Sequence, residues 1–221
     1  MKFKIFLPNE KFRGNSYGEW AAEWWNWLMS DNPDSYDIND AVIFLRANVD
    51  YIFIDKNKRI RRQSGNHYDR TGRRGIKIHE DTAIFFPVIE CEFNDGDLNP
   101  ETGNKIQTEE EMRILARKDI DSGWKLAATI REGKGPSPLI VIDLRPYRAI
   151  SPLFKLVVSE KNNLRHSMED ELEPGTYNAV TDGYWILLSS LPCSTNPYEI
   201  HFEASHRDYR YSATYDIIVE P

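Results

Sequence analysis

The sequence is poor in the features that announce a reaction. It holds two cysteines, Cys91 and Cys193. They are too few for a disulfide framework and stand at no metal spacing, which points to a reducing compartment. No apolar run approaches eighteen residues, so no membrane-spanning helix is expected. The apolar stretch within Met1–Pro8 is too short for a signal peptide, and synthesis in the cytoplasm is expected. Glycine and proline number 12 each, which excludes collagen-like or linker-like chains. There is no G-x-S-x-G, no P-loop, no dinucleotide fingerprint and no H-E-x-x-H. The five histidines supply no i, i+4 helical pair, so a zinc site is unsupported and no cofactor is expected. An excess of positive charge is missing too. The net charge is −7, opposite in sign to that of proteins that bind bulk nucleic acid.

What is present describes a globular chain. Of 221 residues, 40% are hydrophobic and 29% charged, enough for one full core, and a single domain over 1–221 is expected. Two helices are predicted, over 17–29 and 109–121. Ser16 and Glu19 form the S-x-x-E capping box of the first, and Thr108 and Glu111 that of the second. Trp20, Trp24, Trp27 and Leu28 share one face of the first helix, with Trp25 off that stripe. Core packing is the expected role of Trp20, Trp24 and Trp27, and an aromatic docking face is the alternative.

About ten short strands account for the remainder, and they do not alternate with helices. The longest runs over Thr82–Phe93, where Pro87 predicts an edge or a bulge. Thr181-Asp182-Gly183 reads as a hairpin turn between strands Tyr177–Val180 and Tyr184–Leu188. The pattern predicts a mainly β fold: an antiparallel, jelly-roll-like β-sandwich of about ten strands. The two helices and a basic loop over 56–75 attach to its outside.

Several blocks resemble a family of uncharacterised proteins of bacteria, archaea and tailed phages. They are Tyr17-Gly18-Glu19-Trp20 with Trp24-Trp25-Asn26-Trp27-Leu28 and Asn32-Pro33, then Thr82–Ile89, then Tyr177–Trp185, and finally Thr214–Val219. Order and spacing match over most of the chain. Two segments depart from the family pattern: Cys193–Tyr198 stands where a Gly-His turn is common, and Lys56–Arg74 is longer and more basic. The resemblance implies a shared fold and supplies no catalytic residue.

Three residue sets are candidates for function. Lys56–Arg74 carries eight basic residues in nineteen positions against Asp69 alone. Its arginines Arg59, Arg61, Arg62, Arg73 and Arg74 suit bidentate contact with carboxylates. Asp95, Asp97 and Asn99 open like a calcium loop. Pro100 stands where that loop needs glycine and Ile106 where it needs a bidentate glutamate, which leaves at most a weak metal site. Glu90 and Glu92 project from one strand face, as a carboxylate-based hydrolase would require. The reading that follows is a non-enzymatic structural or interaction protein, an assembly subunit such as an accessory component of a phage particle. Its expected partners are other protein subunits, in a homo-oligomer or a larger particle such as a virion, without nucleic acid or membrane. A carbohydrate- or other ligand-binding sandwich is the first alternative and the carboxylate-based hydrolase the second.

Overall fold

The structure is a computed structural model that describes residues 3–31, 33, 40–54, 60–64, 73–133, 139–162, 172–207 and 209–221. Its elements in chain order are α1 (Tyr17–Leu28), β1 (Val42–Phe44), β2 (Asn48–Ile54), β3 (Ile60–Ser64), β4 (Arg73–His79) and β5 (Ala83–Asn94). Then come α2 (Glu109–Ile120), β6 (Lys125–Glu132), β7 (Ile140–Val141), a 3-10 turn (Arg145–Tyr147), β8 (Arg148–Ile150), β9 (Phe154–Val158), β10 (Gly175–Leu188), β11 (Tyr198–His206) and β12 (Tyr209–Glu220).

The described strands form two sheets, as a sandwich requires. One runs β1-β5-β10-β8, with β9 also on β10. The other runs β3-β2-β12-β11-β6-β7, with β4 also on β12. Each has a long strand whose outer edge is shared by two short ones. Along β10, β8 pairs with 182–184 and β9 with 175–179. Along β12, β2 pairs with 209–212 and β4 with 214–220. The sheets are mixed, not purely antiparallel as the sequence pattern suggested, because β1 runs parallel to β5 and β4 parallel to β12. In each parallel pair the earlier strand lies beside a later one that it reaches through a long connection, which a local hairpin signal cannot reveal.

Aromatic rings close the space between the sheets. Phe86 of β5 stacks on Phe202 of β11 at 4.7 Å between centroids, and Phe202 stacks on Tyr215 of β12 at 6.2 Å. The other face of β5 packs under α1, where Phe85 meets Trp185 at 5.3 Å and Tyr17 at 5.8 Å. Covered on both faces, β5 is buried continuously from Ala83 to Ile89. Pro87 sits at a bulge: Tyr184 opposes Ile89 while Trp185 opposes Pro87, so Val88 is the extra residue.

Both halves of the α1 capping box form, with Ser16 Oγ accepting from Glu19 N and Glu19 Oε2 accepting from Ser16 N. At α2 only half forms. Thr108 accepts from Glu111 N, but the Glu111 carboxylate accepts from Gln107 N at 3.1 Å and from Asn99 Nδ2 at 2.6 Å. The face of α1 turned to the sheet is Tyr17, Gly18, Ala21, Ala22, Trp24 and Trp25. Trp25 is therefore inside, contrary to the stripe centred on Trp20, Trp24 and Trp27. Gly18 decides the seat of the helix, since a Cβ there would collide with the Ile150 carbonyl oxygen. α2 packs on the opposite face of the same sheet, through Met112 and Leu115 against Val180 and Phe93.

Candidate functional site

The structure separates the candidate sets. Trp24 is buried and donates from Nε1 to Leu45 O at 2.8 Å, while Trp25 donates to Thr181 Oγ1 at 3.1 Å. Trp20 and Trp27 are half-buried against the same core and meet Phe44 at 6.2 and 5.6 Å. These tryptophans lie packed against the core, and the indole nitrogens of Trp20, Trp24 and Trp25 each donate a hydrogen bond.

Asp95, Asp97 and Asn99 shape a turn. Asp95 accepts from Asn178 N and Nδ2, and Asp97 Oδ2 accepts from Asn94 N at 2.8 Å. Asn99 Oδ1 accepts from Glu101 N at 2.9 Å. The three side chains face different backbone groups, and among the described residues no group of three or more His, Cys, Asp or Glu is arranged to hold a metal ion.

Glu90 and Glu92 lie on the α1 face of β5, opposite Gly183 and Thr181 of β10. Both side chains are half-buried, and Glu92 Oε1 is enclosed without a hydrogen-bond partner. Burial, reinforced by the Asp119 carboxylate, pushes the Glu90 carboxyl up to about 8. Burial and the neighbouring Asp97 likewise hold Glu92 well above the usual carboxylate range. Between them Cys91 turns to the opposite face, where burial and Asp119 push its thiol up. A thiol so placed is a poor nucleophile.

Thr181-Asp182-Gly183 is no turn. β10 runs unbroken through it, with Thr181 and Asp182 buried. Asp182 accepts from Arg148 Nε at 3.0 Å and Nη2 at 2.8 Å, and Arg148 reaches Asp121 at the end of α2 at 2.5 Å. Gly183 is required by close packing, since a Cβ would stand 2.5 Å from Ile89 O. The composition that signals a hairpin here serves an ion pair and a close strand approach.

The basic segment divides. Arg59 lies outside the described residues. Arg61 and Arg62 are on β3, and Arg73 and Arg74 open β4. The loop expected over 56–75 thus contains a strand, paired with β2 as a hairpin. Arg74 is spent on the core edge: its Nη1 donates to Tyr215 Oη at 2.8 Å and its guanidinium lies over the Tyr215 ring. The β2–β3 ribbon does not end with the sheet. Tyr51 opposes Tyr209, the first residue of β12, so Ile52, Phe53 and Ile54 pair only with Arg62, Arg61 and Ile60 among the described residues. At about 3.3 Å per residue, the three ribbon pairs extend roughly 10 Å beyond the level of Tyr209.

No helix among the described residues is long and apolar enough to cross a membrane. Comparison of the chain with protein-family models, with curated proteins and with solved structures gives no significant match.

Proposed function

We propose that the protein is a non-enzymatic assembly subunit that docks on an acidic protein surface through the basic β2–β3 ribbon, as an accessory component of a phage particle would. The observation that carries this reading is the register of the ribbon, which runs past the end of β12 while its strands and flanks hold the densest positive charge of the chain. An isolated two-stranded ribbon is marginal in water, and Ile52, Phe53, Ile54 and Ile60 fall in the part that no third described strand supports. An acidic partner would meet the arginines of this segment with carboxylates.

The test replaces Arg59, Arg61, Arg62 and Arg73 by Ser and leaves Arg74 in place because it packs on Tyr215. Retention on a polyglutamate surface is measured at low and high salt, beside the melting temperature. Retention that falls for the variant, most at low salt, with an unchanged melting temperature, supports the reading. Equal retention of variant and natural protein overturns it.

A second reading, a carboxylate-based hydrolase, is favoured by the carboxyls of Glu90 and Glu92, which burial keeps protonated above the usual carboxylate range. Their half-buried place on β5, with no nucleophile or second catalytic group shown beside them among the described residues, counts against it. Glu90→Gln would abolish such an activity and leave docking untouched.

A further inference from the structure

We infer that α2 presents its outward face to a second copy of this chain, in an antiparallel two-fold contact centred on Ile114. The contact uses no residue of β2 or β3 and so goes beyond the ribbon reading.

The burial pattern of α2 is the first argument. Its buried residues are Met112, Leu115, Ala116 and Ile120, one helical face. Ile114 lies on the opposite side. It is 52% exposed, among Glu110, Arg117 and Lys118, which are exposed too. A β-branched residue there adds nothing to the core and is a weaker helix former than a straight-chain one.

Apolar neighbours flank the helix on both sides. On one side Asn99 Nδ2 donates to Glu111 and Glu101 pairs with Lys118, about one turn before and one turn after Ile114. Leu98 of that loop is 55% exposed. On the other side Arg113 Nη1 donates to Ser151 O at 3.0 Å, and Ile150 and Leu153, close to Ser151 in the chain, are exposed. Nine large apolar side chains are exposed among the described residues, and these are four of them. Single exposed apolar residues are ordinary, whereas a group on one side of the molecule marks a contact surface.

Charge identifies the occupant. The first turn of α2 is Glu109, Glu110 and Glu111, and its last turn holds Arg117 and Lys118. A second α2 turned end for end about Ile114 sets the residue four before it against the residue four after it. Glu110 then meets Lys118, and one position nearer the axis Glu111 meets Arg117. Both pairs are of opposite sign, and two-fold symmetry makes each occur twice. A parallel approach would set acid on acid and align the helix dipoles. Lys118 already pairs with Glu101, but both are exposed, and such a pair is exchanged at little cost. Each copy carries −7, a repulsion screened beyond about 10 Å at 0.1 M salt. The helix is about 18 Å long, so the contact is small and belongs with weak, transient interfaces.

The experiment is sedimentation equilibrium on the full chain from about 10 to about 500 µM, the range of a weak interface. The natural protein is expected to pass from 25.8 kDa toward twice that mass as concentration rises. Ile114→Glu, Glu110→Lys and Lys118→Glu are compared, each with its melting temperature in dilute solution to confirm the fold. Each variant alone is expected to dimerise at least tenfold more weakly with its melting temperature unchanged. An equimolar mixture of Glu110→Lys and Lys118→Glu is expected to recover the dimer, because Lys then meets Glu in one pair and the natural residues meet in the other. A natural protein that stays at 25.8 kDa throughout overturns the inference. So does a dimer that all three variants keep, or a mixture that associates no better than its components. Retention on polyglutamate bears on the ribbon alone, so either reading can fail without the other.

Discussion

Arg148 holds Asp182 by two parallel hydrogen bonds across the β8–β10 edge, and the carboxylate it holds is sealed from solvent. The same guanidinium extends to Asp121, so one side chain ties the C-terminal end of α2 to the sheet it covers. The pairing holds Arg148 firmly protonated. Arg148→Met leaves Asp182 buried without its cation. We expect a loss of about 3 kcal/mol in urea denaturation, at the low end for a buried pair because Arg148 is partly exposed. Asp121→Asn, at the exposed side, should cost under about 1 kcal/mol. Equal effects of the two substitutions would show that the buried half of this link carries no special weight.

Glu90 ties stability to pH with a definite sign. Its folded carboxyl titrates at about 8 and its ordinary value is 4.5, because burial disfavours the charge. Between those values the unfolded chain has released a proton that the folded chain keeps, so stability falls as pH rises through that window. Glu92 acts in the same direction. Glu90→Gln removes the Glu90 contribution. The variant should match the natural protein at pH 4 and be clearly the more stable at pH 8. Urea denaturation at both pH values measures this, and a variant less stable at pH 8 would refute the assignment.

The α1 tryptophans should differ in cost. Trp24→Ala empties a buried site shared with Trp185 and Leu45, and about 3–5 kcal/mol should be lost. Trp20→Ala removes a half-buried ring that also donates to Phe12 O, and roughly half that loss is expected. A stable Trp24→Ala protein would return this helix to the docking alternative.

Asn26 closes an edge. Its Nδ2 donates to Lys155 O at 3.1 Å and its Oδ1 accepts from Val157 N at 2.9 Å, as a neighbouring strand would for β9. Asn26→Ala frees both groups. A loss of about 1–2 kcal/mol is expected. Light scattering should also show new concentration-dependent association, since an open edge pairs with other edges. No new association would mean that the edge is protected by something else.

Local signals in the sequence carried the fold further than the site. The caps at Ser16 and Thr108 set the starts of both helices, because a capping hydrogen bond spans three residues. Pro87 gave its bulge for the same reason. Segment 181–183 misled because a turn composition is also what an ion-paired Asp and a close-packed Gly require. The partners that decide the matter, Arg148 and Ile89, are remote in sequence. Trp25 was misplaced because its burial depends on Thr181, 156 residues away. Arg61 and Arg62 were legible as charge, but their place on a projecting ribbon depends on the pairing of Tyr51 with Tyr209.

Amide hydrogen exchange over β2 and β3, with and without an acidic partner, tests the central claim most directly. Among the described residues Ile52–Ile54 and Ile60–Arg62 pair only with each other, so in dilute, high-salt solution they should exchange much faster than the β11–β12 pair. With polyglutamate added at low salt, protection of those residues should rise at least tenfold while β11 and β12 remain unchanged. Unchanged exchange of the ribbon on that addition would contradict the claim that this element is where the protein docks.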